Sequence, residues 1–231
     1  MRTLRNIAVI LTLLVPFSVA AQSSVVVELF TSQGCSSCPP ADKILLDLER
    51  DENVIVLGWH VDYWDYLGWK DEFSSPESTA RQMGYRERWD LRSLYTPQAV
   101  IHGETQVIGS NRRKIEMYVD QFQAEEPVLG LEIIADGEQL KVNVSALTAS
   151  LPEAGVYLLE IIPTSTSMIG RGENAGRTIE YINVVKDMSL IASWDGRSGS
   201  DLSAEIARDK SYVILVQAND FGPVLGAAYV N

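Results

Sequence analysis

The sequence predicts an α/β half followed by a β-rich half. Three observations carry that division. Short apolar, β-branched runs alternate with helix-spaced apolar positions as far as residue 126. Beyond Pro127 the helical spacing stops, and strand-like runs follow one another between turn residues. A Cys-x-x-Cys pair, Cys35 and Cys38, lies where the first strand-like run passes into the first helix-like one, and the 231-residue chain has no other cysteine.

The N-terminus precedes both halves. Arg2 and Arg5 form a basic start, Ile7 to Val15 is a short apolar core, and Ser18, Ala20 and Ala21 are the small residues of a cleavage site. Residues 1–21 therefore read as a signal peptide cut after Ala20 or Ala21. The apolar run is too short for an ordinary membrane span, so the expectation is an exported chain, periplasmic or secreted, with no membrane insertion after cleavage. The formal charge is −12, and losing the two leader arginines makes it more negative. Such acidity argues against binding nucleic acid or an anionic membrane.

In the first half, residues 22–126, the run Val25-Val-Val-Glu-Leu-Phe30 reads as a buried strand. From Ala41 the spacing of Ile44, Leu45 and Leu48 is helical. Val54-Ile-Val-Leu57 is a second strand, reaching towards Trp59 and Val61, and is followed by an aromatic stretch, His60 to Trp69. Ser74-Ser-Pro76 opens a helix over roughly 77–89. Thr96-Pro97-Gln98 precedes the apolar run Ala99-Val-Ile101, Gly103-Glu104 turns the chain into Gln106 to Gly109, and Ile115, Tyr118, Val119 and Phe122 mark a last amphipathic helix. The order is β-α-β-α-β-β-α.

The second half, residues 127–231, begins with a hairpin: Leu129 to Ile134, an Asp136-Gly137 turn, then Leu140 to Ser145. Further strands are expected at 156–162, 177–185, 212–217 and 226–230. They predict an antiparallel, sandwich-like domain packed on the first half. The segment Thr164 to Arg177 reads as a long loop, which either borders the cysteines or joins strands. With no Cys and no His in this half, it reads as a partner domain rather than a second enzyme.

The chemistry points to the cysteines. At the start of a helix, free N–H groups and the positive end of the dipole favour a thiolate, and a second thiol within reach can resolve a mixed disulfide. A structural zinc site wants four ligands, but His60 and His102 are isolated in sequence. A bond closing so short a loop would restrain the unfolded chain little. Thiol redox chemistry is the favoured reading and needs no cofactor. The alternative is a metal module that takes Cu(I) on Cys35 and Cys38, with His60 as a further ligand.

The order of elements, with the dithiol after the first strand and Thr96-Pro97 before the third, resembles the thioredoxin fold. That resemblance implies an α/β thioredoxin-like domain with a helical insertion, followed by the β-rich domain. It implies Cys35 as attacking thiol, Cys38 as resolving thiol, and Pro97 as a cis-proline that presents the Thr96 backbone to substrate. Glu28 lies near the buried acid of thioredoxins, one residue further from the first cysteine, where it could exchange a proton with Cys38; the other reading is a strand-end glutamate facing solvent or an ion pair. The run Glu28-Leu-Phe-Thr-Ser-Gln-Gly-Cys35-Ser-Ser-Cys38-Pro-Pro-Ala-Asp42 resembles the hallmark of a family of secreted thioredoxin-like bacterial proteins catalogued as a domain of unknown function. Trp59 to Trp69, Tyr95 to Val100, Gly172 to Arg177, Asn183 to Val185 and Gly222 to Ala227 match it too. Three functions compete: an exported thiol–disulfide oxidoreductase acting on protein or small-molecule thiols, a copper-binding or delivery module, and a binding protein whose β-rich half does the work.

Overall fold

The computed structural model describes residues 24–230. It is a mixed α/β fold with one large mixed sheet, a second antiparallel sheet and, among the described residues, three α-helices.

One half of the large sheet is built from strands β1 (Val25–Thr31), β2 (Val54–His60), β3 (Gln98–Ile101) and β4 (Thr105–Ile108). β1 runs parallel to β2 and antiparallel to β3, and β3 runs antiparallel to β4. All seven residues of β1 are buried, which is why its sequence is apolar on both faces apart from Glu28 and Thr31. Side chains still alternate between the sheet faces. Val25, Val27 and Leu29 pack under helices α1 (Pro39–Leu48) and α3 (Arg112–Gln123), while Val26 and Phe30 join Tyr85 of helix α2 (Pro76–Arg88).

Local signals fix the helix ends. Pro39 and Pro40 occupy the first turn of α1 after its N-cap, Cys38, where a missing N–H costs nothing. The Ser75 hydroxyl caps α2 by accepting from the Ser78 N–H, with Pro76 following it. The Asn111 side chain does the same for α3 through Lys114.

The chain after residue 126 supplies strands β5 (Leu129–Asp136), β6 (Gln139–Ala146), β7 (Ala154–Met168), β8 (Thr178–Trp194), β9 (Ser200–Glu205), β10 (Ser211–Ala218) and β11 (Val224–Val230). Four of these extend the large sheet, whose order is β11-β10-β7-β8-β2-β1-β3-β4. The two halves of the chain thus share one sheet, and β8 joins β2 in parallel through the pair Gly58–Val184. The other three, in the order β5-β6-β9, form the small sheet. It covers one face of β7, β10 and β11, with Leu131, Leu140 and Val142 meeting Val156, Ile214 and Val216.

The apolar core crosses the midpoint of the chain. Phe30, Leu57 and Trp59 belong to one cluster with Leu159, Val213 and Leu215. The sheet curls far enough for the Val224 N–H to donate to the His102 carbonyl, 2.9 Å away.

The segment Thr164 to Arg177, read from sequence as a loop, is strand over its first five residues. β7 runs on to Met168 and β8 starts at Thr178, paired from Thr164–Ile182 out to Met168–Thr178. The residues Thr164-Ser-Thr-Ser carry a loop-like composition, but ladder hydrogen bonds hold them in a two-stranded ribbon. Only 169–177 remains as its tip.

Candidate functional site

Cys35 and Cys38 form a disulfide with a Cα–Cα distance of 5.4 Å. It lies in the short connection between β1 and α1, held by a tight turn: Cys35 N–H donates to Ser32 O and Cys38 N–H to Cys35 O. Cys38 opens α1, and its carbonyl accepts from the Ala41 and Asp42 amides at 2.8 and 3.1 Å. Both cysteines are buried, at 3% and 0% exposure, while Ser36 and Ser37 between them are exposed. The disulfide therefore meets solvent at the edge of a serine-covered turn.

Thr96 and Pro97 come to the same place. The Ser37 hydroxyl lies 3.4 Å from both Cys35 Sγ and the Thr96 carbonyl oxygen, and the Thr96–Pro97 peptide bond is cis. The Thr96 hydroxyl accepts from the Trp64 indole N–H at 2.8 Å, so the aromatic stretch buttresses this segment. A side chain at Gly109 would stand 2.9 Å from Pro97 Cβ; glycine is what lets β4 end against that proline.

The second half completes the site. Asn174, in the tip of the β7–β8 ribbon, is fully buried and donates to the carbonyls of Gln33 and Cys35, each at 2.9 Å. The Glu173 carboxylate accepts from the Ser36 N–H. Gln33 donates to the Ser167 hydroxyl and accepts from the Trp69 indole. The ribbon tip thus borders the cysteines, one of the two readings the sequence left open.

Glu28 is placed differently from the other candidates. It points to the α2 face of β1, opposite α1, where it is fully buried in an ion pair with Arg81. The Arg81 Nε and Nη2 groups donate to its two oxygens at 2.5 and 2.9 Å, and the Tyr85 hydroxyl donates at 2.6 Å. Gln217 of β10 closes the network by accepting from Arg81 and donating to Tyr85. Burial, then the Glu28 charge, push the Tyr85 phenol far above its ordinary range.

A second buried polar cluster lies at the start of α1, tied to the cysteine turn through the Gln33 N–H, which donates to Asp71 at 2.8 Å. The Asp42 carboxylate accepts from the Thr31 hydroxyl at 2.8 Å. Burial, opposed by the His60 charge and the Thr31 hydrogen bond and reinforced by Asp71, raises its pKa to about 7. His60 Nδ1 is 2.7 Å from Asp71 Oδ2 and donates to that carboxylate. Burial alone would raise Asp71, but the His60 charge and hydrogen bond, with the Gln33 and Phe73 amides, outweigh it and hold the carboxyl below its usual range. His60 is thus tied to Asp71. Among the described residues no cluster of three or more His, Cys, Asp or Glu side chains is placed to hold a metal ion.

Asn174, Gln33, Asp42 and Asp71 are parts of the site that sequence reading missed. Asp42 alone left a local signal: it sits among Ala41, Ile44 and Leu45 on a buried stripe where a charge has no reason to be unless it has partners.

The expected signal peptide lies outside the described residues. No described helix is long and apolar enough to cross a membrane.

Comparison with known proteins gives the chain relatives but no activity. Among solved structures it is similar to the X-ray crystal structure of a protein from Agrobacterium tumefaciens, at 30% identity and a TM-score of 0.78, covering 91% of this chain and 96% of that one. Its fold is also similar to that of HBP35 of Porphyromonas gingivalis, at 11% identity and a TM-score of 0.64, covering 90% of this chain and 74% of that one. No curated protein matches it. A family model described as "Protein of unknown function (DUF1223)" matches residues 26–217, and the chain belongs to that family.

Proposed function

We propose that the protein is an exported thiol–disulfide oxidoreductase built on a thioredoxin-like half. The reading is supported by the order of elements, β1-α1-β2-α2-β3-β4-α3, and by the strand neighbours β2-β1-β3-β4. The observation that carries it is the Cys35–Cys38 disulfide at the N-terminus of a half-buried helix, beside the Thr96–Pro97 segment.

The chemistry follows from the placement. Cys35 has what little exposure the disulfide shows, and in the reduced protein it attacks a substrate disulfide as the thiolate. Helix-start N–H groups stabilise its charge. Cys38, behind it, then attacks Cys35 Sγ, re-forming the intramolecular disulfide and releasing the substrate thiol. Substrates are protein or small-molecule thiols and disulfides, met outside the cytoplasm if the leader is cut as the sequence implies.

Reduction of insulin disulfides by dithiothreitol, with and without the protein, tests the proposal. Catalysis that disappears in Cys35→Ser, together with trapped mixed disulfides in Cys38→Ser, is the expected result. A chain whose cysteines exchange no faster than free thiols would end the oxidoreductase reading.

A further inference from the structure

Resolution of a mixed disulfide requires Cys38 to lose a proton in a place closed to water. Cys38 is fully buried, and apolar burial holds a thiol in its unreactive protonated form. Glu28 is on the far face of β1, committed to Arg81 and Tyr85. Asp42 is on the right face: it follows Cys38 by one helical turn, and its own N–H donates to the Cys38 carbonyl at 3.1 Å. Residues so spaced are neighbours on a helix surface.

We propose that Asp42 exchanges the proton of Cys38 during the thiol–disulfide reaction, with His60 and Asp71 positioned to tune it; the inference rests on the oxidoreductase reading. In the step itself, the Asp42 carboxylate takes the Cys38 proton. The Cys38 thiolate attacks Cys35 Sγ, the Cys35–Cys38 bond forms, and the bond from Cys35 to the substrate sulfur breaks. The leaving thiolate takes a proton from solvent. The dithiol loses two electrons and the substrate disulfide gains them.

Two further observations support this. Asp42, His60 and Tyr181 line one small cavity of ≈ 10 Å³. His60 Nε2 and the Tyr181 hydroxyl, both buried, have no hydrogen-bond partner among the described residues. Two polar groups beside the acid thus have hydrogen-bonding capacity that the fold leaves unused. Asp42 also borders a groove of ≈ 690 Å³ between α1 and the β7–β8 ribbon, which gives its proton a route to solvent. The titratable groups around it are His60 from β2, Asp71 from the segment after β2, Tyr181 from β8, and Lys43, Asp47, Glu49, Arg50, Arg177 and Glu180 along the groove. A carboxyl with a pKa of about 7 is matched to this task near neutral pH.

The test uses residues 22–231, reduced and in excess over 5,5′-dithiobis(2-nitrobenzoate). Attack by Cys35 releases one thionitrobenzoate, and resolution by Cys38 releases the second in a separate phase. In the wild type the second phase should slow as pH falls through about 7. In Asp42→Asn the ratio of second-phase to first-phase rate at pH 7 should fall by about 10²-fold, and should recover only as pH rises. His60→Asn should move the wild-type inflection to higher pH, because the His60 charge lowers the Asp42 pKa. A purely structural role would leave these pH profiles in place. A wild-type second phase inflecting only in the ordinary thiol range, or an Asp42→Asn profile like the wild type's, overturns the proposal while leaving the dithiol reading standing. The wild-type profile decides even if the variants fail to fold. A wild type with no first phase at any pH sinks both readings.

Discussion

The Asn174 side chain donates to the Cys35 backbone carbonyl across 139 positions of chain. A residue from the β-rich half therefore shapes the turn that carries the disulfide, and the same amide also satisfies Gln33. Asn174→Ala strands two buried carbonyls, and a loss of about 1–3 kcal/mol is expected, measured by urea unfolding of the oxidised protein. The Cys35–Cys38 pair should also be reduced faster by dithiothreitol, since the tip no longer holds the turn.

The Arg81–Glu28 pair is fully enclosed, with the guanidinium also lying 4.9 Å above the Trp59 ring. Arg81→Ala leaves a buried carboxylate without its counter-charge. Breaking such a pair costs about 3–5 kcal/mol. Arg81→Ala should therefore unfold at markedly lower denaturant than a surface control such as Arg50→Ala, whose side chain is 80% exposed.

Asp42 makes stability depend on pH in an unusual direction. Its pKa is raised from 3.8 to about 7 in the folded protein, so the folded state holds a proton that the unfolded state releases. That favours folding while the carboxyl is protonated and is lost as pH rises through about 7. Asp42→Asn stays neutral and can keep the Thr31 hydrogen bond. Its stability relative to wild type should therefore climb between pH 4 and 7 and level off above, by a few kcal/mol at most. Thermal melts of the oxidised proteins across that range check it; a flat difference would mean that Asp42 is ionised throughout.

Residues 24–126 alone should fail to form a stable monomer. Removing the rest strips Leu159, Val213 and Leu215 from the core that holds Phe30, Leu57 and Trp59, and it leaves the β2 edge open next to Gly58. Expression of this fragment, followed by size-exclusion and amide exchange, tests it. A monodisperse fragment with protected amides in β1 and β2 would show that the shared core is dispensable.

Much of this architecture was written locally. The strands and helices from β1 to α3 fall where apolar runs, Ser-Ser-Pro and Thr-Pro punctuation put them, because each signal is a matter of a few neighbouring residues. The change of texture at Pro127 likewise marks where helices give way to strands alone among the described residues. What local pattern does not carry is the insertion of β8 beside β2, which rests on one pair of residues distant in sequence, Gly58 and Val184. Strand β9 escaped notice because only Leu202 and Ala204 of Ser200–Glu205 turn inward. At the site, the cysteines and Thr96-Pro97 were legible from motif and order. Asn174 and Asp71 were not, since a buried amide and a buried carboxylate look in sequence like any polar loop residue.

The chain also has a direction in time. Cys35 and Cys38 emerge from synthesis long before Ser167, Glu173 and Asn174, the residues that bond the cysteine turn or its neighbour Gln33. N-terminal segments begin to fold first, whereas contacts between distant parts of a chain form late. In the nascent protein the cysteine turn therefore lacks the hydrogen bonds that the ribbon tip later supplies. That turn takes its final setting only when the β7–β8 ribbon has formed, so the half that carries the cysteines is completed by the half made after it.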